Sequence, residues 1–193
     1  MIQVPTENDL VDAIADAARA AISDLFQAHS GETFYYCSLI TTGEGHPPVL
    51  SAWSKEALAR AVGNEPDAEA ELKWSYADSP FCGYGQAHFD RLRDLFDARP
   101  APDLAEVGLR LSAMEQAISR LDAEGLFGVG SARERLVVNA EVMPPDRTNV
   151  ERATRLNPPA ALIAWLAEAA EPEEQDLGVG AQCEAPPTLN RGK

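Results

Sequence analysis

With 193 residues, 45% of them hydrophobic, the chain is long enough to bury one sizeable core and gives no reason to divide it into two. Its 16 Lys and Arg against 31 Asp and Glu leave a net charge of −15, a field that repels nucleic-acid phosphates and anionic membranes and favours basic partners. The three cysteines, Cys37, Cys82 and Cys183, are widely spaced with no CxxC or Cys/His cluster, so no disulfide framework, metal site or cofactor is expected, and a reducing cytoplasm fits.

In chain order, Thr6 is placed to cap a helix, with Asp9 three residues on. Leu10, Ile14, Ala17, Ala21 and Leu25 then recur at helical spacing, predicting a helix from about Glu7 to Ala28 that Ser30-Gly31 ends. Thr33 to Thr41 is aromatic, β-branched and apolar on both faces, which predicts a central strand covered on each side. After a turn at Thr42 to Gly45, Pro48 to Trp53 predicts a second strand, hairpin-linked to the first, and Ser54 caps a short helix through Val62. Gly63 to Glu71 reads as an acidic loop. Leu72 to Tyr76 alternates, placing Leu72, Trp74 and Tyr76 on one face of a third strand. A loop from Ala77 to Gly85 follows, then a helix whose apolar face carries Phe89, Leu92 and Phe96.

The cleanest helical pattern is Leu104, Val107, Leu111, Met114, Ile118 and Leu121, ended by Gly125. Leu136 to Val142 predicts a fourth, buried strand, and Thr148 to Glu151 has the form of a capping box opening another helix. Pro158-Pro159 starts the last helix, with Leu162, Ile163 and Leu166 as its apolar side. There is no Lys or Arg from Leu156 to Asn190. The expected architecture is α+β: a mainly antiparallel or mixed sheet of about four or more strands, packed with five to six helices in one layered domain over 1–170. Residues 171–193 form an acidic, Pro- and Gly-containing tail expected to be disordered, because it offers little apolar area to offset ordering entropy.

Three segments carry a resemblance. They are Phe34 to Leu39 with Ala57-Leu58; Leu72-Lys73-Trp74-Ser75; and Leu121 to Gly128 with Arg133, Val137, Val138 and Leu156-Asn157-Pro158. Together they resemble the bacterial family known only as domain of unknown function 4303, over about Asp9 to Pro159. The resemblance implies no activity and no catalytic residues. Small acidic proteins of this general kind occur among bacterial toxin-immunity proteins, which is an analogy of type. Ser79 to Cys82 departs from the more aromatic continuation usual in the family.

No residue set forms a recognisable catalytic constellation. Cys82 in a Gly-rich loop and His88 near the next helix are the one candidate nucleophile–base pair, against their reading as ordinary loop and helix-cap residues. His29 and His46 read as isolated surface residues. The three glycines of Gly125 to Gly130 precede a strand, whereas a phosphate loop follows one, so they read as a helix stop and a turn. Trp74, Tyr76, Phe81 and Tyr84, with the loop carboxylates Glu69 and Glu71, are candidates for anchoring a partner, against core packing and plain solvation. The function expected is a non-enzymatic interaction protein, immunity- or antitoxin-like, that binds a basic protein; the alternative is a small enzyme or ligand-binding domain using the Cys82 and His88 loop.

Overall fold

A computed structural model describes residues 4–170. The chain runs α1 (Glu7–Ala28), β1 (Phe34–Thr42), β2 (Val49–Ser54), α2 (Lys55–Val62), α3 (Glu69–Leu72), α4 (Gln86–Phe89), α5 (Arg93–Asp97), α6 (Leu104–Ala123), β3 (Val137–Met143), α7 (Arg147–Leu156) and α8 (Pro159–Glu168). The expected tail, 171–193, with Cys183 lies outside the described residues.

Local signals place most of these elements. Thr6 and Asp9 form a reciprocal capping box at the start of α1. Gly125, at φ +82°, ends α6 in a Schellman arrangement: its amide donates to Asp122 and that of Leu126 to Leu121. The start of α7 differs from expectation. Asp146 caps it, and Thr148, expected to open a capping box, instead donates its hydroxyl to Asp146.

The sheet is mixed, in the order β2-β1-β3, with β1 antiparallel to β2 and parallel to β3. The fold class is α+β as expected, but the described residues hold three strands rather than four or more, and eight α-helices rather than five to six. The excess comes from the single turn α3, where an acidic loop was expected, and from the helix expected around Phe89, Leu92 and Phe96, which a 3-10 turn at Asp90–Leu92 divides into α4 and α5. The missing strand is Leu72 to Tyr76. Its backbone carbonyls are taken by side chains of the sheet: Tyr35 Oη donates to Lys73, Trp53 Nε1 to Ser75 at 2.6 Å, and Ser51 Oγ to Tyr76 at 2.8 Å. With those acceptors filled, the segment lies over the sheet as irregular chain and adds no ladder.

Strand parity gives the sheet two unlike faces. Cys37, Leu39, Leu50, Ala52, Val138 and Ala140 make an apolar face under α1 and α6, whose stripes Leu10, Ile14, Leu25, Met114, Ile118 and Leu121 are buried. The opposite face carries Tyr36, Ser38, Ser51, Trp53, Asn139 and Glu141, all buried, beneath the 72–76 segment. On α6, Leu104 is 94% exposed, while Glu106 and Arg110 are buried. Glu106 accepts from Arg99 Nε and Nη2, at 2.6 and 2.7 Å, and from Arg110 Nε at 2.8 Å. On α8 the buried side is Leu162 and Trp165; Ile163 and Leu166, expected to share it, are exposed, because α8 touches the rest of the chain along a narrow stripe.

The outer edge of β3 is closed by side chains. Asn149 Oδ1 accepts from Val142 N and its Nδ2 donates to Val142 O; Asn157 does the same for Val138. Between them Arg152 Nε donates to Ala140 O at 2.6 Å. The carboxamides stand in for a neighbouring strand and leave no free edge there. Arg133 braces the arrangement through Leu156 O and Asn157 Oδ1.

Asn157→Ala is expected to lower unfolding free energy by about 2–4 kcal/mol, since a buried N–H and carbonyl lose their partners together. Denaturant unfolding measures it, and a loss under about 0.5 kcal/mol would refute the strand-mimic role. The Arg99 and Arg110 guanidiniums hold the Glu106 carboxyl down at about 2 from its ordinary 4.5. Its contribution, about 3 kcal/mol, is present above pH 4.5 and disappears as pH falls towards 2, so Glu106→Gln should flatten that part of the acid-unfolding curve.

Candidate functional site

The residues singled out by sequence divide between two places. Trp74, Tyr76, Glu69 and Glu71 gather over the polar face of the sheet. Phe81, Tyr84, Cys82 and His88 lie in the segment that passes the end of α1.

At the first place, α3 and the turn after it bring Trp74 edge-on to the rings of Tyr35 and Tyr36, at 5.2 and 6.2 Å. Its Nε1 donates to Glu168 of α8 at 2.8 Å, and Lys73 Nζ reaches the same carboxylate at 2.8 Å while lying over the indole. Those bonds hold Glu168 below its ordinary range. Trp74 is thereby a wall shared by two depressions. One, of about 770 Å³, runs between α2 and α8 over Phe34, Leu58, Val62 and Ala164, with Lys55, Arg135 and Glu69 at its sides. The other, of about 370 Å³, is lined by Glu71, Trp74, Tyr76, Trp165 and Glu168, with Glu141 of β3 as well.

Glu141 was not among the sequence candidates. It is 6% exposed and accepts from Tyr36 Oη at 2.9 Å. Burial pushes its carboxyl above the ordinary value, against the opposing hydrogen bond from Tyr36. The same burial and the facing carboxylate push Tyr36 well above the usual phenol range. Arg152 is close enough to favour the charged carboxylate, while its Nε and Nη2 donate to Ala140 O and Asn149 Oδ1. The only sequence signal for Glu141 is a lone carboxylate inside an otherwise apolar strand run.

At the second place, Phe81 is buried against Phe34 and His29, with ring centroids 5.6 and 4.7 Å apart. Tyr84, half-buried, meets the edge of Phe81. The chain passes closely there: a Cβ on Gly85 would lie 2.6 Å from that of Ala21, and the φ of Gly85 is +67°. His29 also faces Glu32 at 3.4 Å, and His46 meets Glu44 at 2.8 Å. His88 Nε2 meets Asp24 at 3.2 Å, and among the described residues no hydrogen bond joins it to Cys82. Partial burial raises the Cys82 thiol, the direction opposite to thiolate activation.

The family model described as Domain of unknown function (DUF4303) matches residues 14–158. No curated protein and no solved structure matches the chain. Among the described residues, no helix is long and apolar enough to cross a membrane.

Cys82 should label with a thiol probe at neutral pH no faster than a cysteine in an unstructured peptide, and Cys37, its thiol pushed by burial up to about 12, should not label until the chain unfolds. Mass-spectrometric rates in a Cys183→Ser background measure both. Labelling of Cys82 tenfold faster than the peptide would instead mark it as a nucleophile.

Proposed function

The chain belongs to the family of domain of unknown function DUF4303, and we propose that it acts as a non-enzymatic, cytoplasmic interaction protein that binds a basic protein partner, in the manner of an immunity or antitoxin protein. The observation that carries this reading is Trp74. It stands half-buried between two depressions, beside Glu69, Glu71 and Glu168, on a chain of net charge −15. An aromatic side chain held in one orientation by its neighbours is the usual form of a binding hot spot, and surrounding carboxylates speed encounter with a basic surface.

Affinity capture from the native host at low salt should recover a basic protein, and capture should weaken as salt rises. The product of a neighbouring gene with nuclease-like or otherwise toxic character is the first partner to try. Trp74→Ala should weaken binding by about 30-fold or more, the effect of losing about 2 kcal/mol at a hot spot. Glu71→Lys, at an exposed position with no bearing on folding, should weaken it by a smaller factor that vanishes at high salt. Failure to recover a partner under gentle conditions, or binding untouched by both changes, refutes the reading.

A further inference from the structure

The smaller depression contains a carboxylate that the fold does not use up. Glu141 Oε1 accepts from Tyr36. No hydrogen bond to Oε2 is formed among the described residues, although Ser38 and Asn139 lie near enough to favour the charged carboxylate; since every fully buried side-chain oxygen there has a partner, Oε2 keeps some exposure, and Glu141 lines the cavity. The other carboxylates of the cavity differ. Glu168 takes both Lys73 and the Trp74 indole on Oε2 and is exposed, as is Glu71, so water can solvate their remaining oxygens, whereas Glu141 is buried. Arg152 favours the charged carboxylate from behind the sheet edge, but its Nε and Nη2 are bonded to Ala140 O and Asn149 and it forms no ion pair with Glu141. A buried carboxylate with an unfilled oxygen is costly unless a cation or donor joins it. The cavity that leads to it has aromatic walls, Trp74, Tyr76 and Trp165, and a volume of about 370 Å³, within the roughly 300–1,000 Å³ of small-ligand pockets.

Resting on the proposed basic partner, we infer that this cavity is a receptor for one arginine side chain of that partner, whose guanidinium reaches Glu141 Oε2 between the aromatic walls. Guanidinium fits better than ammonium for two reasons. It is flat, is weakly hydrated and stacks on rings, and its several N–H donors can meet Glu141 while others turn towards Glu71 at the rim. Tyr36 is a positioning residue: its hydroxyl holds Oε1 and so fixes the plane of the carboxylate.

The test uses the full chain and N-acetyl-arginine amide as probe, followed through the indole N–H resonances of Trp74, Trp165 and Trp53. Trp53 Nε1 is bonded to Ser75 O, and Ser75 lines the cavity, so this resonance reports on the cavity's inner wall. Saturable shifts at Trp74 and Trp165 are expected, with N-acetyl-citrulline amide, the neutral analogue, inert and N-acetyl-lysine amide weaker. Glu141→Gln keeps an oxygen for Tyr36 and removes the charge; it should fold and weaken arginine binding at least about tenfold. Asp94→Asn, an exposed change outside the cavity, should leave binding as it was. Citrulline binding as well as arginine, lysine binding as tightly, or a Glu141→Gln chain that folds and binds arginine unchanged each overturns the inference. If arginine fails to bind while a basic partner is still captured through Trp74, the arginine receptor is wrong and the interaction reading stands.

Discussion

The pairing of β3's outer edge with side chains of α7 and the residue that follows it is the constraint on which the rest depends. A three-stranded sheet has two edges, and an unpaired parallel edge strand is a template for another chain. Asn149 and Asn157 answer the backbone groups of Val142 and Val138 as a fourth strand would, and Arg152 answers Ala140 between them. Those contacts fix where α7 lies. Because Pro158 and Pro159 follow Asn157 directly, they also fix where α8 begins, and so bring Trp165 and Glu168 over the end of β3. The wall of the candidate cavity is therefore a consequence of how a sheet edge is closed.

The two faces of the sheet play different parts. The face under α1 and α6 is apolar and supplies the interior through area removed from water. The other face buries hydroxyls, an indole N–H, a carboxamide and a carboxylate. Most of these groups are matched to backbone carbonyls of the sheet or of the covering segment: Ser38 to Asn139, Ser51 to Tyr76, Trp53 to Ser75. Buried polar groups matched one by one specify a single position for what they touch. This is how a segment without regular structure holds Trp74 and Tyr76 in place. Glu141, held by Tyr36, is the member of that face that also lines the cavity.

Much of the fold was legible in the residues. The capping box of α1, the apolar run of β1 and the stop at Gly125 are local signals, and each acts over a few residues. Leu72 to Tyr76 misled because alternation describes which way side chains point and says nothing about whether a neighbouring strand is available. Here the neighbours offer Tyr35, Ser51 and Trp53 side chains instead. Arg133, Val138 and Asn157, noticed together as a family pattern, prove to be one bonded group, but their role follows only from Asn157 lying against β3. Of the cavity, Trp74, Tyr76 and Glu71 were legible as candidates, because they sit in one short acidic and aromatic stretch. Glu141 was not, since its partner Tyr36 is 105 positions away.

The sequence by itself determined the class of the molecule: an acidic α+β chain, its main helices, the central strand and its hairpin partner. Those follow from periodicity, capping and charge, which depend on near neighbours. Tertiary structure alone decided the parallel placement of β3, the closing of its edge, the burial of Glu106 with Arg110, and the meeting of Glu141 with Trp74 and Trp165. Each of these joins groups far apart in the chain, whose energies depend on distance and burial, and neither quantity exists until the chain has folded.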